Sequence, residues 1–115
     1  MTIQHIGPGE WNSRAVIHGG YVWLSGIVAG DKKAGIREQT ADVLSQIDGF
    51  LAQAGSDKTK IVSAVIYIAK MSDKDGMNEA WIEWMGDANP PARACVGVEL
   101  TPDTLVEIMC QAVIG

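Results

Sequence analysis

Asn89-Pro90-Pro91-Ala92-Arg93-Ala94-Cys95-Val96-Gly97-Val98-Glu99-Leu100, followed beyond Thr101-Pro102-Asp103-Thr104 by Leu105-Val106-Glu107-Ile108, is the stretch whose reading decides the fold. Side chains alternate across a strand, so residues two apart share a face. Ala92, Ala94, Val96, Val98 and Leu100 form one such set, and Val106, Ile108, Cys110, Ala112 and Ile114 form another. Arg93, Cys95, Gly97 and Glu99 point the other way in the first run, as do Glu107, Met109 and Gln111 in the second. Paired as a hairpin, the two apolar sets must share a face, because a slip of one residue turns every side chain over. That register places Arg93 and Glu107 together on the non-core face.

Upstream, residues 3–6 read as a short edge strand broken by Gly7-Pro8-Gly9. Ala15-Val16-Ile17-His18 and Tyr21-Val22-Trp23-Leu24-Ser25-Gly26-Ile27-Val28 are strand-like runs divided by Gly19-Gly20. Both glycines accept positive φ, which predicts a tight hairpin. From residue 36 or 37 the period becomes helical: Thr40, Val43, Leu44, Ile47, Phe50, Leu51 and Ala54 recur at steps of three and four, and Gly55 stops the run. Residues 61–69 predict a central strand with Val62, Ala64, Ile66 and Ile68 on its apolar face. Ser72 is expected to cap a second helix in a capping box with Asp75. Met77, Ala80, Trp81, Trp84 and Met85 form its buried stripe.

Strands, helix, strand, helix, strands is the order of an α+β domain over residues 1–115, with two helices covering one face of a mixed sheet of five or six strands. On the other face alternation places Tyr21, Trp23, Ile27, Val65, Tyr67 and Met109, too many large apolar groups for a solvated surface. Copies of the chain are expected to cover them. That brings Arg93 and Glu107 close to an interface.

Composition removes several classes of function. An apolar fraction of 47% suits a single globular core. The net charge of −5, with Lys and Arg scattered, makes nucleic acid a poor partner. The N-terminus lacks the pattern of a secretory signal, and no run approaches the ~18 apolar residues of a membrane span, so a cytoplasmic protein without membrane association is expected. Cys95 and Cys110 have no motif spacing and fall on opposite sides in the hairpin register, so both are expected as reduced thiols. No HxxxH, CxxC, phosphate-loop or dinucleotide pattern occurs, and neither metal nor cofactor is expected.

Each candidate residue has two readings. Arg93 is either a surface side chain stacking on a neighbour or pairing weakly with Glu99, or a planar fork that grips a carboxylate. Glu107 is either solvated or, on a partly buried face, a group that moves protons and places a water. Cys95 beside Arg93 lacks a histidine partner set by any motif, so packing is its simpler role, with its backbone lining whatever rests on Arg93. Ser25-Gly26 reads as a bulge or as a close approach of ligand to backbone. Asn78 lies in the first turns of the second helix and is solvated or turned to a ligand.

Ser13-Arg14-Ala15-Val16, Ser25-Gly26, Gln39-Thr40, Val43-Leu44, Ile47, Ala54-Gly55, Met77-Asn78, Pro91-Ala92-Arg93-Ala94-Cys95-Val96 and Val106-Glu107-Ile108 together resemble the Rid family of reactive enamine/imine deaminases, also labelled endoribonuclease L-PSP or translation-inhibitor proteins. The likeness spans nearly the whole chain in order. It implies a chorismate-mutase-like fold, a homotrimer and clefts between subunits. It also implies cofactor-free hydrolysis of 2-enamine and 2-imine acids such as 2-aminoacrylate to 2-keto acids and ammonia. Arg93 then holds the substrate carboxylate and Glu107 orients or activates water. Main-chain groups near Cys95, together with Ser25, Gly26 and Asn78, contact substrate. Asn12 stands where many members carry a tyrosine that closes over the ligand, and Ile27 where they carry glutamine. A carboxylate-binding protein without turnover is the alternative, and the acidic balance disfavours a ribonuclease.

Overall fold

The computed structural model describes residues 2–115. Strand β1 (Gln4–Pro8) forms an edge against β2 (Ser13–His18), running two residues beyond the expected segment. Gly19 and Gly20, at φ +59° and +82°, turn β2 into β3 (Tyr21–Leu24), with His18 opposite Tyr21 as a two-residue hairpin requires. After Ser25-Gly26 comes the two-residue β4 (Ile27–Val28), then α1 (Ile36–Gln53), β5 (Ile61–Ile68), α2 (Lys74–Met85), β6 (Ala92–Gly97) and β7 (Val106–Val113). The sheet order is β1-β2-β3-β7-β5-β6, with β4 also on β7, so the count rises to seven because β3 and β4 share one side of β7.

The expected hairpin between β6 and β7 does not form. β5 lies between them, parallel to β6 and antiparallel to β7. The reason is α2: a strand that leaves through a covering helix returns in its original direction, so β6 pairs parallel beside β5. The segment 98–105 then crosses the end of β5, where Val98 N–H donates to the Ile68 carbonyl and Ala69 N–H to that of Leu105.

This order inverts the face assigned to β6. Arg93 aligns with Ala64, which aligns with Cys110, and Cys95 aligns through Ile66 with Ile108. Arg93 and Cys95 therefore face the helices, while Ala92, Ala94 and Val96 face outward. Glu107 aligns with Tyr67 and Val28 on the outer face. Arg93 and Glu107 thus lie on opposite sides of the sheet, not on one surface. Cys95 and Cys110 lie on the same side, and both are free thiols.

Two irregularities move single residues across the sheet. Trp23 pairs with Gln111 and Ile27 with Ile108, so one extra residue sits in the β3–β4 run. The bulge at Ser25-Gly26 reverses the alternation. Ile27, expected outside, is 1% exposed in the core. A second shift between Ile61 and Ser63 turns Val62 outward at 43% exposure and gives its core place to Ile61.

The helical layer follows the apolar stripes. Val43, Leu44, Ile47 and Leu51 of α1 and Met77, Trp81 and Met85 of α2 are buried against the sheet. Gly55, at φ +83°, ends α1 as expected. The capping box is not formed: Met71–Asp73 make a 3-10 turn, Asp73 is the cap of α2, and no side chain bonds there.

Gln39, fully buried in α1, ties the helix layer to the loop before β7. Its Nε2 donates to the carbonyls of Ala34 (3.1 Å) and Asp103 (3.0 Å), and its Oε1 accepts from Leu105 N–H (3.0 Å). Gln39→Leu keeps the volume and strands these three groups, each costing roughly 1 kcal/mol or more when buried unpaired. Urea unfolding at fixed protein concentration should show a loss of about 2–4 kcal/mol; an unchanged midpoint would mean that water replaces the amide.

Candidate functional site

Arg93 leaves the edge strand β6 and reaches under α2. Met77 and Trp81, four residues apart on that helix, share the face that meets it. The guanidinium carbon lies 5.2 Å from the Trp81 ring centroid, and Nη1 is 4.0 Å from the Met77 sulfur. Trp81 is 5% exposed and Met77 is fully buried. No carboxylate pairs with Arg93 among the described residues, where the ion pairs are Arg37–Glu79 and Lys60–Asp57. The cation is held by a ring and a sulfur, neither of which neutralises it. Its donors in the plane remain able to take an anion.

Glu107 is half-buried on the outer face, between the core residues Val106 and Ile108. The bulge shapes its surroundings. Ser25 N–H donates to the Arg14 carbonyl at 3.0 Å, and the Ser25 hydroxyl donates to the Ser13 carbonyl. Those bonds fix Gly26 against the glutamate. A Cβ on Gly26 would lie within 3.0 Å of the Glu107 carboxyl carbon and 3.2 Å of its Cγ. The stretch is thus a bulge, the first of its two readings, and the group that lies over the bare backbone of Gly26 is the Glu107 side chain of the same fold.

The other candidates divide between the two sides. Cys95 is half-buried, packs against the core and shares the Arg93 side. Asn78 follows Met77 on α2, and its Oδ1 is buried without a hydrogen-bond partner among the described residues. Asn12 is exposed in the turn between β1 and β2, where its carbonyl accepts from Gly9 N–H at 2.7 Å. Arg93, Cys95 and Asn78 thus belong to β6 and α2, whereas Ser25, Gly26 and Glu107 belong to the bulge and β7. The partners of Arg93 were not singled out from sequence: Trp81 and Met77 read as core by helical spacing, and they are core. The signal of their second role is that a parallel β6 must lie beneath the same stripe.

Across the outer face, rows of aligned residues run Val28–Glu107–Tyr67–Val96 and Met109–Val65–Ala94. Tyr21, Trp23 and Met109 remain 43%, 36% and 44% exposed, and a shallow hollow of about 140 Å³ lies among Trp23, Ser63, Val65, Met109 and Gln111. The apolar surface foreseen there is present, Ile27 excepted.

The family model described as Endoribonuclease L-PSP matches residues 2–114. A RutC family protein of Haemophilus ducreyi is 39% identical over 104 residues, 90% of this chain and 89% of that protein. The RutC family protein YoaB of Escherichia coli is 36% identical over 115 residues, 99% of this chain and all of its own. Among solved structures, a YjgF-family protein from Neisseria meningitidis superposes with a TM-score of 0.95 at 43% identity, covering all of this chain and 97% of its own.

Two outcomes follow from this geometry. Gly26→Ala should destabilise the protein by about 1–3 kcal/mol through overpacking, and most of that loss should vanish in Gly26→Ala/Glu107→Ala, a coupling read from a double-mutant cycle of unfolding midpoints. Burial pushes the Cys110 thiol up from 9.0 to about 12. Native Cys110 should therefore resist alkylation at pH 8. Between pH 9 and 12 the unfolded thiol has lost its proton and the native one has kept it, so this group's contribution to stability falls as pH rises through that window. Cys110→Ala should flatten that part of the stability–pH curve.

Proposed function

The chain belongs to the endoribonuclease L-PSP family, also called Rid, and has its chorismate-mutase-like fold; on that premise we propose that it hydrolyses 2-imino and 2-enamino acids to 2-keto acids and ammonia without a cofactor. The observation that carries the reading is the guanidinium of Arg93, half-buried, held over the Trp81 ring and free of any carboxylate partner among the described residues. Such a group suits a small carboxylate. Glu107, whose carboxyl lies over Gly26, is the matching acid–base group.

The two lie on opposite faces of one sheet, so a working cleft takes Arg93 from one copy and Glu107 from another. The exposed apolar face around Trp23 and Met109 supplies the surface on which copies meet. A closed homotrimer repeats that contact and yields equivalent clefts. Cys95 and Asn78 accompany Arg93 to the cleft, and Ser25 and Gly26 accompany Glu107. The turn bearing Asn12 precedes Ser13, whose carbonyl takes the Ser25 hydroxyl, so Asn12 is assigned to the Glu107 side.

The chemistry asks little of the protein. An enamine first takes a proton at C3 and becomes the imine. Water then adds to the electrophilic C2, forming a C–O bond as the π electrons move to nitrogen. Glu107 accepts the water proton and returns it to the amine. The C–N bond then breaks to release ammonia while the new hydroxyl gives up its proton to the Glu107 carboxylate, which leaves the keto group. That proton repays the one taken up from solvent at C3. Arg93 fixes the carboxylate so that C2 and water meet in the reacting geometry. No redox step occurs. The net charge of −5 gives the ribonuclease reading of the family label little support.

The test generates 2-iminopropionate with an amino-acid oxidase and follows its loss in competition with semicarbazide. Wild type should accelerate loss, and Arg93→Ala and Glu107→Gln should each lose about 100-fold or more in kcat/KM. Mixing Arg93→Ala with Glu107→Ala under conditions that exchange subunits should restore roughly a quarter of wild-type activity, since each mixed trimer regains one complete cleft. No acceleration by wild type on several imino acids sinks the enzyme reading in favour of binding without turnover. Absence of complementation by mixed assemblies sinks the shared cleft.

A further inference from the structure

We propose that Trp81 is a positioning residue for Arg93: its ring, in place of a carboxylate, holds the guanidinium so that the in-plane donors stay available to an anionic substrate. This rests on the carboxylate-binding role of Arg93 proposed above and adds the device that makes that role possible.

A guanidinium drawn half under a helix needs a partner to be oriented at all. The commonest is Asp or Glu, which would occupy the donor fork and cancel the charge. Here the position is filled by the ring of Trp81, with the guanidinium carbon 5.2 Å from its centroid. An indole face attracts a cation electrostatically and takes up none of its donors as a carboxylate would, so apart from the N–H turned to the Met77 sulfur the fork is left unpaired. The Met77 sulfur, 4.0 Å from Nη1, is at most a weak acceptor and adds a polarisable wall.

The ring is itself well fixed. Trp81 is 5% exposed and belongs to the core, and its neighbour Trp84 packs on it at 5.4 Å between centroids, tilted 58°. Trp84 is anchored in turn by Nε1 donating to Asp48 of α1 at 3.0 Å. Orientation therefore passes from α1 through two indoles to the arginine. The expected consequence is specific: removing the π face lets Arg93 wander, which weakens substrate capture while leaving the proton transfers at Glu107 intact.

The experiment compares wild type, Trp81→Phe and Trp81→Leu, with Trp81→Met as a second ring-free variant should the leucine variant fail to fold. Equilibrium binding of 2-ketobutyrate is measured by titration calorimetry, KM and kcat on 2-iminopropionate by the semicarbazide assay, and thermal unfolding for each variant. Ring-free variants should weaken binding and raise KM about five- to thirty-fold with kcat within about threefold, and Trp81→Phe should recover most of the loss. A merely structural tryptophan would lower the unfolding temperature in all variants without separating phenylalanine from leucine in Kd. Equal Kd for the phenylalanine and ring-free variants, or a fall in kcat with KM unchanged, would overturn the proposal. Wild type that binds 2-ketobutyrate in this pattern yet turns over no imine overturns the deaminase reading alone. Wild type that binds no carboxylate overturns both.

Discussion

β5 offers one edge to β7 and the other to β6, and its two neighbours run in opposite directions. That arrangement is imposed by α2, because a helix that covers the sheet between two neighbouring strands returns the chain parallel. Most of what bears on function depends on it. Ala64 aligns with Arg93 on one side and with Cys110 on the other, which commits Arg93 to the helix side. Tyr67 aligns with Glu107, which commits the carboxylate to the outer side. An edge position for β6 then leaves room for the long Arg93 side chain beneath α2 without demanding that the core close over it. In a central strand the same arginine would be a buried, unpaired charge, a far costlier arrangement.

The parts of this fold that were legible in the sequence are those with one physical interpretation. Gly19-Gly20 between two apolar runs can hardly be anything but a tight turn, and the stripe from Thr40 to Ala54 with Gly55 beyond it has the helical period over enough turns to leave no rival. The outer apolar face also emerged, because alternation in β3, β5 and β7 set the large residues Trp23, Tyr67 and Met109 on it. The β6 segment was illegible for a definite reason. Ala92, Ala94 and Val96 do share a face, but alternation identifies a set and not a side. In a sheet apolar on both faces, the more apolar set of an edge strand need not be the one under the helices.

Bulges defeat alternation in another way. Each inserts one residue and reverses the parity of everything beyond it. At Ser25-Gly26 this draws Ile27 into the core and brings Val28 level with Glu107. At Val62 it exchanges Val62 for Ile61. Nothing in the residue types at Val62 announces the shift, whereas Ser25-Gly26 carried a hint, since glycine inside a strand pattern weakens pairing and admits close neighbours. Of the candidate site, then, the sequence offers candidate residues and not their grouping in space. Arg93 and Glu107 sit back to back across the sheet, so a cleft that uses both requires two copies of the chain.

The manner in which Arg93 is held explains why such a division is economical for a small protein. A single sheet with helices on one side has one dry layer, and that layer is already filled by the core. Placing an acid and a cation together inside it would pair them, and a pair satisfied within the fold binds nothing else. With the two on opposite faces, neither can quench the other in the free subunit. The indole of Trp81 orients the cation without neutralising it, and the bare backbone of Gly26 lets the glutamate lie close without a hydrogen-bonded cation beside it. Both groups reach an assembly unspent. In the proposed assembly the exposed apolar face is the contact between copies, and a cleft formed there would hold both groups where water is scarce and charge interactions are strong.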